Sequence, residues 1–207
     1  MSQKPEPGGE ASVDPALLPV QEQPGLPRVL LVGDSISIGY TLPARTLLAD
    51  RANVLRPLFN CGPSSRGVEK HAEIAGAGGW DMIHFNFGLH DLRLIDGVHQ
   101  VPLDTYAANL RTLGRLYQAA ARKVIWCSTT PVPEGNLSPP RRPADVPAYN
   151  RAAHEVMTEL KIPTHDLCAF AAERLASIQR PQNVHFTDAG SAELAQSVAT
   201  AITAALR

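Results

Sequence analysis

The chain has 207 residues, 44% of them hydrophobic, and a formal net charge of −1 at pH 7. This length supports one α/β core, and the dispersed basic residues form no positive patch for nucleic acid or an anionic membrane. No apolar run approaches the roughly 20 residues that span a bilayer, and the three cysteines, Cys61, Cys127 and Cys168, lack the spacing of a disulfide framework or a zinc site.

Residues 1–27 are rich in Pro, Gly, Gln and Glu and show no helical or strand periodicity. We predict a disordered tail over this segment and one domain over residues 28–207. The tail lacks the basic and then apolar pattern of a secretory signal, so a cytoplasmic location is the default expectation, with export through a removed signal left open. No pattern indicates an oligomeric state.

From residue 28 onward, strand and helix signals alternate. Apolar segments predict five strands, at residues 28–32, 53–56, 81–87, 123–127 and 162–166. Helices are predicted from Ser35 to about Asp50 with an interruption at Pro43, and then at 103–120, 147–160, 168–178 and 187–206, the last capped by Thr187. This alternation predicts an α/β fold, a flavodoxin-like three-layer sandwich whose five-stranded parallel sheet has helices on both faces.

The first chemical signal lies where the first predicted strand turns into a helix, at Gly33, Asp34 and Ser35. A serine in such a turn has its Oγ held above the carboxyl edge of the sheet, where open α/β folds bind ligands. Its backbone N–H lies at a helix N-terminus and can donate to a developing oxyanion. Alone, the pattern also fits a serine that only caps a helix.

Three further segments follow this turn in a characteristic order. They are the Gly/Ser/Pro-rich segment 60–67, Gly88-Leu89-His90-Asp91, and Val184-His185-Phe186-Thr187 just before the last helix. With the Gly-Asp-Ser turn, they make residues 28–207 resemble the SGNH (GDSL-like) hydrolase superfamily.

The resemblance implies a serine esterase in which Ser35 is the nucleophile and His185 the general base. An acyl-enzyme would form on Ser35 and then be hydrolysed, without a metal or any other cofactor. The oxyanion donors implied are the backbone N–H groups of Ser35 and Ser65 and the side chain of His90.

The chain departs from the family pattern at two of these donors. His90 stands where the family has asparagine; a neutral imidazole can also donate one N–H, and the alternative is a structural residue. Ser65 stands where a glycine usually donates its backbone N–H, and Gly62 and Gly67 are rivals for that role.

The third departure is Gln182, which stands where the family places the aspartate that orients the base. Gln182 or a backbone carbonyl could accept a hydrogen bond from His185. A carboxylate, from Asp188 or Asp166, is the second alternative, although Asp188 also suits a helix start. A slow or inactive site is the third.

Two other histidines follow an aspartate at the spacing of the missing motif. His84 falls within a predicted strand, so we expect it to pack in the sheet. His99 lies in a loop after that strand and is the one serious rival base. No HExxH, Walker or dinucleotide-binding pattern occurs, so no metal or nucleotide cofactor is expected.

The loop 131–147 follows a predicted strand and should border the pocket. Arg141 and Arg142 in this loop could pair with an acidic sugar or another carboxylate, or be solvated charges. The expected substrate is a small-molecule or carbohydrate ester, with a weak preference for O-acetyl groups on a carbohydrate. The alternatives are an acyltransferase that uses the same site and a catalytically silent carbohydrate-binding homologue.

Overall fold

Residues 13–207 are described by a computed structural model. Its strands are β1 (Arg28–Val32), β2 (Asn53–Leu55), β3 (Trp80–Phe85), β4 (Leu94–Ile95), β5 (Val98–His99), β6 (Ala121–Cys127) and β7 (Thr164–His165). Five of them form a parallel sheet in the order β2-β1-β3-β6-β7, and β4 and β5 form a separate antiparallel hairpin. This is the flavodoxin-like strand order, so the predicted fold class is confirmed.

The helices are α1 (Ser35–Leu47), α2 (Ser64–Glu69), α3 (His71–Ala75), α4 (Leu103–Ala120), α5 (Val146–Leu160), α6 (Leu167–Ala172), α7 (Leu175–Ile178) and α8 (Asp188–Leu206), with 3-10 turns at Pro15–Leu17 and Pro143–Asp145. Thr187 caps α8 as predicted, because its side chain accepts the N–H of Gly190. The helix predicted at 168–178 is two helices, α6 and α7, and α1 runs through Pro43 without interruption. Among residues 13–207, no helix has the length and apolar character needed to cross a bilayer.

Alternating side chains of β3 show how the two faces of the sheet are covered. His84 contacts His165 of β7, which in turn contacts Ser197 of α8. The next residue, Phe85, makes an edge-on contact with Tyr117 of α4. Because successive strand residues point to opposite faces, α8 and α4 lie on opposite sides of the sheet.

Helices α1 and α8 pack side by side through small residues. A Cβ placed at Gly39 of α1 would lie 3.2 Å from the Oγ of Ser191 in α8. At the start of α8, a Cβ at Gly190 would lie 2.2 Å from the carbonyl oxygen of Ile178, the last residue of α7. These close approaches fix the segment between α7 and α8 against the start of α1.

The segment from residue 13 to residue 27 packs on the sheet domain, although we predicted a disordered tail up to residue 27. Ala16 is 1% exposed, and the side chain of Asn53 accepts the N–H of Gln23 and donates to the carbonyl of Leu26. A buried apolar side chain and a satisfied buried amide outweigh a composition typical of disorder. The rest of the predicted tail, residues 1–12, lies outside the described residues.

Candidate active site

A cleft of about 250 Å³ opens at the carboxyl ends of the parallel strands. Chain segments that follow β1, β2, β3 and β6 contribute to it, together with the turn before α8. Its lining is formed by Asp34, Ser35, Asn60, Leu89, His90, Arg93, Leu137, Ser138, Pro139, Arg141, Gln182, Asn183, Val184 and His185.

Ser35 and His185 meet in this cleft. The Ser35 Oγ lies 2.8 Å from His185 Nε2, although the two residues are 150 positions apart in the chain. Ser35 is the first residue of α1, and Asp34 is the N-cap, with a side chain that accepts the N–H of Ile36. Because the first N–H groups of a helix have no partner within the helix, the Ser35 N–H can point a donor at the cleft.

Asn183 holds the other side of the His185 ring. Its Oδ1 lies 2.7 Å from His185 Nδ1 and 2.9 Å from the His185 backbone nitrogen. A backbone N–H can only donate, so the atom facing both groups must be the amide oxygen. The oxygen therefore accepts a proton from Nδ1, which leaves the lone pair of Nε2 facing Ser35. This is the tautomer that a general base needs.

None of the three side chains proposed from the sequence as a partner of His185 contacts its ring. Gln182 adopts a left-handed backbone conformation, with φ of 50°, and its side chain lies against Gly135. The Asp188 side chain is fully exposed at the start of α8 and lies 3.8 Å from Arg180. The hydrogen bond goes to Asn183 instead, because the tight turn places position 183 beneath the ring. Asp166 is also engaged elsewhere, as the N-cap of α6.

His90 lines the same cleft as Ser35 and is held there by its neighbour Asp91. The buried Asp91 carboxylate accepts hydrogen bonds from the backbone N–H and the hydroxyl of Ser64. Burial raises the pKa of Asp91 to about 7, against the lowering effect of the hydrogen bonds from Ser64. These bonds join the loop after β3 to the start of α2.

Ser65 is exposed in the first turn of α2 and does not line the cleft. Asn60, five residues earlier, does line it. The Asn60 Oδ1 accepts the N–H of Gly62 at 2.9 Å, which leaves the amide N–H groups of Asn60 as the donors that it can present.

Both histidines of the cleft favour the neutral form. Burial lowers the pKa of His185, and Arg180 and Arg141 lower it further while Asp34 opposes them. Burial also lowers the pKa of His90, with Asp34 again opposing and Arg141 contributing in the same direction as burial. Neutral imidazole is the form in which His185 can accept the proton of Ser35.

The two arginines predicted to border the pocket separate in the structure. Arg141 lines the cleft, and its Nε donates to the carbonyl of Leu89 at 2.6 Å. Arg142 is exposed and outside the cleft lining. A third arginine, Arg93, also lines the cleft. It was missed from the sequence because it follows the segment 88–91 on which the family resemblance was based.

His99 does not line the cleft. It lies in β5, where its Nε2 is 2.7 Å from an Asp145 carboxylate oxygen and its ring packs edge-on against Tyr149. This contact with Asp145, outside the cleft, leaves no role for His99 as the base at Ser35.

One group of possible metal ligands lies elsewhere in the described part of the chain, formed by His84, Cys127 and His165. The two rings lie 3.0 Å apart, from His84 Nε2 to His165 Nδ1, and His165 Nε2 lies 2.9 Å from the Ser197 hydroxyl. Burial lowers the pKa of His84 to about 3 and that of His165 to about 4. These hydrogen bonds engage three of the four ring nitrogens, and His84 Nδ1 is buried without a partner among the described residues.

Arg56 contacts the turn at residues 33–35 and the start of α1, and it was not identified from the sequence. This buried guanidinium donates to the hydroxyls of Ser37 and Thr41 at 3.2 and 2.8 Å and approaches the carbonyl of Gly33 at 3.5 Å. A buried arginine that binds two side chains and one carbonyl fixes the path of the chain at residues 33–41.

A family model described as "GDSL-like Lipase/Acylhydrolase family" matches residues 31–193. No curated protein sequence matches the chain. The matched range includes Ser35, His90 and His185.

Several solved structures share the fold. A lipase/acylhydrolase from Enterococcus faecalis is 18% identical, with a TM-score of 0.74 over 88% of this chain and 98% of that one. Axe2, an acetylxylan esterase from Geobacillus stearothermophilus, is 21% identical, with a TM-score of 0.71 over 85% and 94%. The acetyl xylan esterase AlAXEase is 15% identical, with a TM-score of 0.71 over 84% and 99%. Two Axe2 variants, one with a serine and one with a histidine replaced by alanine, are described as catalytic mutants.

Proposed function

We propose that Ser35 is the nucleophile and His185 the general base of this chain, which belongs to the GDSL-like lipase/acylhydrolase family and is a carboxylic ester hydrolase. One observation carries the assignment: the hydrogen-bonded chain from Ser35 through His185 to Asn183, with distances of 2.8 and 2.7 Å. It supports an active site rather than a decayed one, since each atom has the partner that proton transfer requires.

The reaction begins when the Ser35 Oγ attacks the ester carbonyl carbon and His185 Nε2 takes the hydroxyl proton. As the tetrahedral intermediate collapses, the carbon–oxygen bond to the alcohol breaks and His185 gives its proton to the leaving oxygen. Water then attacks the acyl-enzyme, with His185 as base again, and releases the carboxylic acid and free Ser35. Asn183 holds the ring in the productive tautomer throughout.

The negative charge on the carbonyl oxygen needs donors that face the cleft. The N–H of Ser35 at the start of α1 and the neutral ring of His90 are the proposed donors. The amide of Asn60 is better placed than the backbone N–H of Ser65 to supply a third, because Asn60 lines the cleft.

The proposed substrates are O-acetyl esters of carbohydrates. Support comes from the cleft itself, most of whose lining residues are polar or charged, and from the acetylxylan esterase activity named for Axe2 and AlAXEase. Polar side chains that converge on a cleft can orient the hydroxyl groups of a sugar through hydrogen bonds.

A fluorophosphonate probe and p-nitrophenyl acetate test the assignment together. The wild type should label at Ser35 and hydrolyse the ester, and Ser35→Ala should do neither while keeping its circular dichroism spectrum. The matched control is Ser177→Ala, which removes an exposed hydroxyl outside the cleft. Retention of more than a few per cent of turnover by folded Ser35→Ala would contradict the proposal. Product analysis with an added sugar acceptor separates hydrolysis from acyl transfer.

A further inference from the structure

Two guanidinium groups line the cleft beside Ser35 without a carboxylate partner. Arg93 follows the loop that carries His90, and Arg141 comes from the long loop before α5. Within residues 13–207, neither side chain forms an ion pair, whereas Arg28, Arg111 and Arg122 on the surface each do. An unpaired cation in a partly buried cleft is costly unless a ligand supplies the opposite charge.

The two arginines are held in different ways. Arg141 is fixed by backbone carbonyls, through Nε to Leu89 at 2.6 Å and through Nη1 to Pro139 at 3.2 Å. Its Nη2 makes no hydrogen bond within the described chain. Arg93 Nε is buried and has no hydrogen-bond partner among the described residues. Both groups therefore keep N–H donors unused.

The charge of the cleft is positive. Of the described residues that line it, Asp34 is the one carboxylate; it is 3% exposed, and its oxygen already accepts the N–H of Ile36. Arg93 and Arg141 both lower the pKa of His90, so their field reaches the reacting centre. Two cations against one buried anion leave a site that favours a negatively charged ligand.

We infer that the ester substrate carries a carboxylate close to its scissile bond and that Arg93 and Arg141 bind this carboxylate. The planar guanidinium matches a carboxylate with two parallel N–H donors. The inference rests on the proposed esterase function. A second groove, of about 480 Å³, is also lined by Ser35 and His185, and its wall combines apolar side chains with both acidic and basic ones, so it lacks the excess of positive charge found in the arginine cleft.

The experiment compares charged and neutral esters of similar shape. Mono-p-nitrophenyl succinate places a carboxylate on the acyl side, and p-nitrophenyl butyrate is its neutral counterpart. 4-Acetoxybenzoate places it on the alcohol side, and methyl 4-acetoxybenzoate is the neutral counterpart. The readout is the charged-to-neutral ratio of kcat/KM for each pair. A preference in one pair shows which side of the ester enters the arginine cleft.

Arg93→Gln and Arg141→Gln should each lower the charged-to-neutral ratio of kcat/KM by about 10- to 100-fold in the pair that shows the preference, as expected for the loss of a charged hydrogen bond. Arg93→Lys should keep part of the preference, and added salt should reduce it in the wild type. The matched control is Arg142→Gln, which removes the adjacent exposed arginine and should leave the ratio and the turnover unchanged.

Two failures can be told apart. A wild type that hydrolyses none of the esters through Ser35 contradicts the proposed function. The second failure overturns the carboxylate site alone. In that case the wild type hydrolyses neutral esters through Ser35, but Arg93→Gln and Arg141→Gln leave the charged-to-neutral ratio of kcat/KM unchanged in both pairs. If Arg141→Gln does not fold, because it loses the bond to Leu89, the Arg93 variants decide the matter.

Discussion

Replacing Asn183 by aspartate tests the hydrogen-bonded chain of Ser35, His185 and Asn183 at the residue that was not proposed from the sequence. The amide oxygen accepts the Nδ1 proton of His185 at 2.7 Å, and Asn183→Asp would put a charged oxygen in the same place. A hydrogen bond to a charged group contributes about 1.5–3 kcal/mol, against about 1 for a neutral one. The difference, about 0.5–2 kcal/mol, corresponds to a rise of about one unit in the pKa of His185.

The sign of the effect on activity follows from the role of the base. The base proposed here, His185, accepts a proton only when it is neutral, so a raised pKa should move the acidic limb of the kcat/KM profile to higher pH by about one unit. Above that limb, the better-stabilised imidazolium should raise kcat by up to about 10-fold. Asn183→Ala, which leaves the ring without an acceptor, should lower kcat by about 10²-fold.

The assay is hydrolysis of p-nitrophenyl acetate at pH values from 4.5 to 9, chosen to bracket the usual pKa of histidine of about 6.5. Asp188→Asn is the control, because the fully exposed Asp188 carboxylate does not touch the ring and its loss should leave the profile unchanged. If Asn183→Asp leaves the acidic limb where the wild type has it, or if Asn183→Ala keeps full turnover, Asn183 does not orient His185.

Three other perturbations separate the roles assigned above. His185→Ala should abolish turnover while His99→Ala keeps most of it, and equal losses measured in folded variants would contradict the choice of base. His90→Ala should lower kcat by about 10²- to 10³-fold with a smaller change in KM, and His90→Asn should recover much of this loss; a destabilised variant with unchanged turnover would make His90 structural. Gly88→Ala should destabilise the fold by about 2–3 kcal/mol in urea unfolding, because its Cβ would lie 1.9 Å from Thr129 Oγ1; a wild-type midpoint would mean that Thr129 moves aside.

The parts of the molecule that were predicted correctly depend on local patterns. Buried strands are short apolar runs, so the five strands and their parallel arrangement could be read directly, and the cap at Thr187 is a local side-chain preference. Ser35 and His185, whose catalytic roles stay proposals, were selected because each lies in a recognisable segment next to a helix start. The structure brings both into one cleft at the expected edge of the sheet.

The parts that were missed depend on how distant segments meet. Asn183 contacts the ring from a turn in which Gln182 adopts a left-handed conformation, and composition does not reveal such a turn. Arg93 reaches the cleft because the next residue, Leu94, donates its N–H to the carbonyl of Pro140, which ties the β4–β5 hairpin to the loop of Arg141. The sequence offered one signal for the partner of His185: an asparagine two residues before it, whose side chain carries an acceptor oxygen as an aspartate side chain does.

The separation of 150 residues between Ser35 and His185 also has a consequence for the order of folding. Closing so long a loop costs chain entropy, and no local contact offsets this cost. We therefore expect the contact between Ser35 and His185 to form only after the intervening strands are in place and α8 docks against α1. A chain that has formed its helices and its first strands would therefore give a helical signal without any turnover. In refolding from urea, esterase activity should return at the rate of the slowest phase that tryptophan fluorescence detects. Activity would then measure the fraction of chains whose sheet and α8 are fully assembled.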